Sequence, residues 1–224
     1  MSALVWDTIG EHFYETGVDH AVLYPINNSG AYPKGVAWNG ITAINESPSG
    51  AESNPQYADN IKYLDLTSAE EFGGTIEAYT YPTEFGECDG SVEAKTGVIL
   101  GQQARKMFGL SYRTKIGNDT EGQDHGYKLH LIYGAKVSPS DRGYNTVNDS
   151  PEAITFSWEF TTTPVQVAAR GSDGKAYRPV SSITIDSRIA DPTKLAELEK
   201  KLYGDTAGEA MLPSPDEVIT MFTE

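Results

Sequence analysis

The chain has 224 residues, of which 38% are hydrophobic and 22% are charged, values typical of a globular protein rather than a disordered one. Its 32 acidic residues outnumber 17 basic ones, giving a formal net charge of −15. This charge argues against tight nucleic-acid binding, because that affinity comes from lysine and arginine displacing counterions from phosphates. Simple solubility is an equally good interpretation of the acidity.

Cysteine content and hydropathy exclude further classes of protein. Cys88 is the single cysteine, which excludes a disulfide framework and a cysteine-rich zinc site. No apolar run approaches the roughly 20 residues of a membrane span. The N-terminus lacks the basic region and apolar core of a secretion signal. We therefore expect a protein made in a reducing cytosol, with no membrane partner.

The first segment, residues 1–16, carries an apolar patch formed by Trp6, Phe13 and Tyr14. We interpret this segment as an N-terminal arm that docks on a neighbouring molecule. Packing of the same side chains inside the chain is an equal alternative. The stretch HAVLYPI, which begins at His20, predicts a weak strand.

Residues 45–60, NESPSGAESNPQYADN, have no apolar periodicity and lie between two segments that read as strands. Their two prolines and three serines predict a long polar inter-strand loop. Loops of this length without secondary structure are usually functional or disordered.

Alternating apolar and polar residues predict several strands. In the clearest case Ile154, Phe156, Trp158 and Phe160 alternate with polar side chains. Further candidates are TIEAYTYP from Thr75, GLSYRTKIG from Gly109, GYKLHLIYGAK from Gly126 and SSITIDS from Ser181. GSDGK at 171–175 predicts a hairpin turn. Short strands separated by Gly-rich turns predict one mainly β domain over 1–224, an antiparallel β-sandwich or partly closed barrel of two sheets.

Residues 187–224 predict two helices that together form a C-terminal helical arm beside the β domain. Asp191 is a suitable N-cap, Pro192 suits the first helical position, and Gly204 can end the helix. One apolar stripe of this flanking helix consists of Leu195, Leu198 and Leu202, which we expect to pack either on its own sandwich or on an adjacent subunit.

The second helix begins with Ser214 and Glu217, which have the spacing of a capping box. Its apolar residues include Val218, Met221 and Phe222.

No sequence motif indicates an enzyme. There is no P-loop, G-x-G-x-x-G, G-x-S-x-G or H-E-x-x-H pattern, and the four histidines lack metal-ligand spacing. The acidic stretch from Asp119 to Asp124 does not match a calcium loop, so a solvated hairpin is the main interpretation and a loose calcium site the alternative. The carboxylates of Glu84, Glu87 and Asp89 leave an acidic hydrolase as a minor alternative. We predict no catalytic residues, no metal and no cofactor.

Four long blocks carry a resemblance to a known family. They are DNIKYLDLTSAEEFGGTIEAYTYPTEFGECDG from Asp59, QQARKMFGLSYRTKIGNDTEGQDHGYKLHLIYGAKVSPS from Gln102, NDSPEAITFSWEFTTTPV from Asn148 and LPSPDEVITMF from Leu212. Together with VWDTIGEHFYETGVDHAVLYP near the N-terminus, this sequence resembles the major tail protein, or tail tube protein, of long non-contractile-tailed bacteriophages (siphophages). None of the blocks is a catalytic motif.

The resemblance implies a structural virion protein of the phage tail, assembled in the host cytoplasm. Six copies would form a ring, and rings would stack head to tail into a tube around a tape-measure protein. Tail-tip and tail-terminator proteins would be its other partners, and double-stranded DNA would pass through the lumen at ejection without specific binding.

The resemblance also assigns roles to segments of this chain. The loop at 45–60 falls where the family bridges successive rings. Its expected contact residues are Asn45, Glu46, Pro48, Gly50, Glu52, Pro55, Tyr57 and Asp59. Glu77 and Glu159, on polar strand faces, are candidates for lining the lumen. Residues expected in interface arms are Trp6, Phe13, Tyr14, Leu195, Leu198, Leu202, Met221 and Phe222.

A carbohydrate-binding β-sandwich module is the main alternative. Its marker would be exposed aromatic side chains on a flat face, which Tyr79 and Tyr81 could supply.

Overall fold

The computed structural model describes residues 3–147, 149–171, 174–206 and 208–223. Its first strands are β1 (Tyr14–Pro25), β2 (Val36–Ala37), β3 (Ile41–Glu46), β4 (Ser49–Gly50), β5 (Ser53–Ala58), β6 (Ile61–Thr67), β7 (Glu70–Glu71) and β8 (Gly73–Ala78). The remaining strands are β9 (Val92–Lys95), β10 (Val98–Leu100), β11 (Phe108–Asn118), β12 (Gly122–Val137), β13 (Phe156–Thr162) and β14 (Ser182–Asp186). The helices are α1 (Phe85–Cys88), α2 (Pro192–Tyr203) and α3 (Pro215–Thr223).

Eight strands form one large antiparallel sheet, which confirms the predicted mainly β, antiparallel class. The order is β2-β1-β11-β12-β13-β8-β3, with β14 as a further partner of β12. β12 is shared because Lys128–Ile132 pairs with β14, whereas Ala135–Val137 pairs with β13. Gly134, between them, has φ +62°, and a Cβ there would lie 2.2 Å from Thr163 O. The two predicted sheets are therefore continuous through the long central strands and diverge at Gly134.

The sheet curls on itself without closing into a barrel. Its two ends, β2 and β3, are consecutive in the chain and joined only by residues 38–40. Three residues span at most about 14 Å, so the ends of the sheet must approach each other. Trp38 lies in this link and its Nε1 donates a hydrogen bond of 2.9 Å to Thr80 O. The link holds the ends together without hydrogen bonds between β2 and β3.

An aromatic core fills the inside of the curl. Trp158 is buried with its ring centroid 5.7 Å from that of Trp38 and 5.1 Å from that of Phe85. Phe85 belongs to α1, and its ring also meets Phe108 edge-on at 5.7 Å. The predicted alternation in β13 is confirmed, because Trp158 and Phe160 are buried while the residues between and beside them are exposed.

The opposite face of the central strands is covered by α2 and α3, so the predicted C-terminal helices are present and pack on their own domain. Leu195, Leu198 and Leu202 are buried against Leu129, Leu131 and Tyr133 of β12. Met221 and Phe222 are partly buried against the same cluster. These five residues therefore belong to a second core within their own subunit, and the expectation that they also contact another copy stays a prediction.

Local capping fixes both helices as the sequence predicts. Asp191 Oδ1 accepts hydrogen bonds from the backbone N–H groups of Thr193 and Lys194. Ser214 N donates to Glu217 Oε2 at 2.7 Å, and Glu217 N donates back to Ser214 Oγ. Capping of this kind satisfies backbone groups that have no partner inside a helix.

The chain at 165–180 contains two paired flanks, residues 165–171 and 174–180, which we call the basic hairpin. Val165 bridges to Val180, and Arg170 bridges to Ala176. The predicted turn at GSDGK lies partly outside the described residues, since Ser172 and Asp173 are not among them. Gly171 N donates to Lys175 O at 2.9 Å, so the two flanks of the turn are paired.

Across the described residues, no helix combines the length and the apolar character needed to cross a bilayer.

Candidate assembly surfaces

Residues 47–72 form a projecting β-hairpin, which we call the arm. Where the sequence predicts an irregular loop at 45–60, the structure has strands β4 and β5 paired with β7 and β6. The turn at the tip is made by Asp59 and Asn60, both with positive φ (51° and 62°). Two such residues are typical of a type I′ hairpin turn. Every residue from 45 to 71 is exposed, so the arm is not packed on its own subunit.

The two faces of the arm differ in chemistry. The register pairs Asn54 with Leu66, Gln56 with Leu64 and Ala58 with Ile61, which sets these side chains on one face. The other face carries a polar network in which Asp65 accepts hydrogen bonds from Ser53 and Lys62. We call the side with Ile61, Leu64 and Leu66 the apolar face of the arm. It exposes its large side chains to solvent, with Ile61 63% exposed.

The base of the arm is fastened to the sheet by Glu46. Tyr112 Oη donates a hydrogen bond of 2.5 Å to Glu46 Oε1, and His130 Nδ1 lies 3.5 Å from the same oxygen. The rings of Tyr112 and His130 are stacked with centroids 4.6 Å apart. His130, together with Tyr112, holds the pKa of Glu46 below its usual value, although partial burial opposes this. Glu46, expected to contact another ring, is thus occupied within its own subunit.

The N-terminal segment, residues 3–9, is the second projecting element. Leu4, Val5, Trp6 and Ile9 are all exposed, with Trp6 at 73%. The predicted arm at 1–16 is shorter than expected, because residues 14–16 belong to β1. Phe13 stacks on His125 with ring centroids 5.1 Å apart, while Tyr14 covers Gly117 across the β1–β11 ladder. Of the three predicted arm residues, Trp6 lies in the projecting segment, whereas Phe13 and Tyr14 lie against the domain and stay 50% and 44% exposed.

Asp119 anchors this segment where it leaves the domain. Both carboxylate oxygens accept a hydrogen bond from Gly10 N, at 3.0 and 3.1 Å. His12 Nδ1 lies 3.1 Å from Asp119 Oδ2, and Asn118 Nδ2 donates to Gly10 O. The Gly10 N–H and His12 lower the pKa of Asp119 to about 2. The carboxylate considered for a calcium site is therefore used to hold the chain.

Asp119→Ala should release the anchored segment. We expect the Gly10 amide to exchange with deuterium about tenfold faster, because its acceptor is gone, while core amides are unchanged. Since the pKa of Asp119 is lowered on folding, the wild-type contact is complete above the usual value of 3.8 and is lost as the pH falls toward about 2. Hydrogen exchange with fragment analysis measures this. Asp124→Ala, in the adjoining strand β12, is the control, and equal exchange in both variants would contradict the anchor.

A second exposed hairpin, β9–β10, is absent from the sequence prediction. Its apolar side chains Val92, Val98, Ile99 and Leu100 are exposed, and Glu93 Oε1 accepts a hydrogen bond from Gly97 N across the turn. Gly97, at φ +78°, forms the two-residue turn with Thr96, and a glycine at this position is the sequence signal for the hairpin.

Glu77 and Glu159 share the outer, polar face of the curled sheet. Cross-strand pairing sets Ser157 opposite Glu77 and Glu159 opposite Thr75, while Ile76 and Trp158 point into the core. Lys136 pairs with Thr161 on the same face, a cation that the sequence interpretation overlooked. The outer face is therefore rich in hydroxyl and carboxylate groups with one exposed lysine among them.

The three carboxylates considered for a hydrolase site lie together in one groove. Glu87 and Asp89 line an open groove of about 850 Å³ with Glu84. Glu87 Oε2 lies 2.5 Å from Lys106 Nζ, and Asp89 is paired with Arg142. Burial raises the pKa of the Cys88 thiol to about 12, so it is not a nucleophile at neutral pH. Within the part of the chain that the structure describes, no group of three or more His, Cys, Asp or Glu could hold a metal ion.

Comparison of the chain with models of known protein families and with curated proteins found no match.

Proposed function

We propose that this chain is a tail tube protein of a siphophage, a structural subunit that forms hexameric rings stacked into the conduit for double-stranded DNA. The main support for this proposal is that the apolar face of the arm is exposed to solvent and is not covered by its own subunit. Exposed apolar surface on a projecting element is typical of an interaction site. A segment that extends from one copy onto a different surface of the next makes a heterologous contact, which yields an open filament when it does not close.

The exposed apolar area of the arm and the N-terminal segment fits a weak contact that is repeated around a ring. Nine large apolar side chains are exposed on the arm and the N-terminal segment. Their exposed area is on the order of 1,000 Å², at or below the low end for a stable pair of proteins. One such contact would be weak, whereas several contacts around a ring act together. This supports a subunit that is monomeric when dilute and polymerises when concentrated or nucleated.

The outer face with Glu77 and Glu159 is our candidate for the lumen wall. Six copies would carry a charge of −90, six times −15. Carboxylates and hydroxyls repel or ignore phosphates, so DNA would slide past them, whereas lysines would retain it.

Replacing both glutamates by lysine should leave tubes intact and slow DNA ejection, since each change adds a phosphate contact. Phage carrying the variant subunit would be compared with wild type by ejection kinetics, and the slowing should diminish at high salt. The matched control is Glu197→Lys with Glu209→Lys, which alters the charge equally at two exposed positions in and after α2, on the helical side of the sheet. Unchanged ejection kinetics would contradict the lumen assignment.

Negative-stain electron microscopy tests the function itself. The purified chain would be imaged when fresh and after days at high concentration, with and without tail-tip proteins. Six-fold rings or hollow tubes are the expected result. Monodisperse subunits under every condition would overturn the proposal.

The carbohydrate-binding alternative has less support. Tyr79 is exposed, but Tyr81 is half-buried and meets Trp158 and Phe85 edge-on, with ring centroids 5.4 and 6.2 Å apart. The two tyrosines therefore do not form a flat exposed platform.

A further inference from the structure

The arm is strongly acidic for its size. Residues 47–72 contain five carboxylates and one lysine, a net charge of −4. Lys62 is already paired with Asp65, at 2.6 Å. Glu70 and Glu71 are exposed, and their side chains point to opposite faces because they are successive residues of a strand. Two exposed tyrosines, Tyr57 and Tyr63, lie beside these charges.

The basic hairpin has the opposite character in an otherwise acidic molecule. It contains Arg170, Lys175 and Arg178 against a single carboxylate, Asp173, a net charge of +2. Residues 174–179 are exposed, and Tyr177 is 50% exposed between the cations. Arg170 Nη1 donates to Gly174 O at 3.1 Å. Neither Arg170 nor Arg178 has an ion-pair partner within the described residues, and the bond to Gly174 O uses Nη1 of Arg170, so the other guanidinium nitrogens can still meet a carboxylate.

We propose that the basic hairpin of a second copy of this chain is the surface that receives the arm. Arginine suits this role because its planar guanidinium binds a carboxylate through two parallel hydrogen bonds and also stacks on aromatic rings. The arm supplies both kinds of group, through Glu70 or Glu71 and through Tyr57 or Tyr63. Tyr177 adds an apolar surface for the apolar face of the arm.

The contact joins two copies rather than two parts of one. Within the described residues, Lys62 of the arm pairs with Asp65 of the arm itself, and neither Arg170 nor Arg178 pairs with an arm carboxylate of the same chain. From its base near Glu46 to its tip at Asp59 the arm extends by up to about 40 Å, far enough to leave the domain. A different surface of the partner receives it, so the contact can repeat along a filament.

This inference rests on the proposed self-assembly, and it identifies the surface of the second copy that the arm contacts. Charge complementarity makes the contact salt-dependent and fast to form. Apolar contacts alone would instead strengthen with salts that favour burial.

Charge reversal on each side, alone and combined, tests the contact. Arg170→Glu with Arg178→Glu should raise the concentration needed for polymerisation about tenfold or more, because like charges then face each other. Glu70→Lys with Glu71→Lys should do the same. The chain carrying all four changes should polymerise close to the wild-type concentration, because the pairs are restored with reversed sign. Sedimentation and negative-stain microscopy of the full chain measure the polymerised fraction.

Two controls separate charge at this site from other effects. Arg170→Lys with Arg178→Lys keeps the charges and should retain most of the assembly. Lys200→Glu with Lys201→Glu changes the net charge by the same amount on the exposed side of α2 and should have little effect. Circular dichroism and thermal unfolding confirm that each variant is folded.

The results distinguish a wrong receiving surface from a failure of self-assembly itself. If the Arg170→Glu, Arg178→Glu variant polymerises as wild type, or if the combined variant is not rescued, the basic hairpin is not the receiving surface, although self-assembly stands. If wild type never polymerises, both proposals fail together.

Discussion

Replacing residues 52–68 with an Asn-Gly turn is expected to abolish tube formation and to leave the subunit folded. Ala51 N lies 3.3 Å from Ala69 O, so a short turn can rejoin the chain at this point. The removed residues are all exposed and contribute nothing to either core. Electron microscopy under conditions in which wild type assembles, together with thermal unfolding of both proteins, measures the result.

Substitutions on each face of the arm show which face is needed for assembly. Ile61→Ser, Leu64→Ser and Leu66→Ser together should reduce assembly nearly as much as the deletion, because each removes apolar area that a partner would bury. The control changes Ser53 and Thr67, on the opposite face, to alanine and should assemble normally. Full-length tubes from the deleted chain would show that the arm has no role in stacking.

Leu198→Ala is expected to lower the free energy of unfolding by about 3 kcal/mol, within the range found for leucines in protein cores. Leu198 is completely buried between α2 and the sheet, so its removal leaves a cavity that the neighbours fill only in part. Chemical denaturation of the isolated subunit measures the change. Glu197→Ala, an exposed neighbour on the same helix, should change stability by less than about 0.5 kcal/mol.

This measurement also decides what the C-terminal helices do. A variant with wild-type stability and impaired assembly would restore the interpretation of α2 as an arm reaching another molecule. Loss of stability in the monomer supports its place in the second core.

Elements with strong local signals could be predicted from the sequence. The alternation from Phe156 to Phe160 predicts β13 because one face is buried and the other exposed. Asp191, Pro192 and Gly204 predict the limits of α2 because caps depend on adjacent residues. What α2 packs against could not be predicted in this way. An apolar stripe indicates that another element covers it, but it does not show which one. The strand that covers α2 is β12, which lies about sixty residues earlier in the chain.

The arm was missed as a hairpin for a related reason. Periodicity reveals a strand only when one face is buried, and both faces of the arm are exposed in the free subunit. The remaining signal was the turn, since Asp59 and Asn60 are residues that tolerate positive φ at a hairpin tip. The Pro48 and Pro55 residues, and the many polar neighbours, favoured an irregular loop instead. Glu46 could not be recognised as an anchor, because its partners Tyr112 and His130 are distant in sequence.

The curled sheet has a consequence for how the chain reaches its native state. β1 pairs with β11, with Tyr14 opposite Gly117, so the central ladder requires closure of a loop of about one hundred residues. Sheets of this kind fold on a timescale of milliseconds to seconds, whereas an isolated hairpin forms in about 1–10 μs. The arm and the β9–β10 hairpin involve only neighbouring residues. During synthesis their apolar side chains are therefore available before a domain exists to carry them, and premature association of nascent chains competes with folding. Lower temperature and slower synthesis should then increase the yield of folded subunit more than any change in buffer.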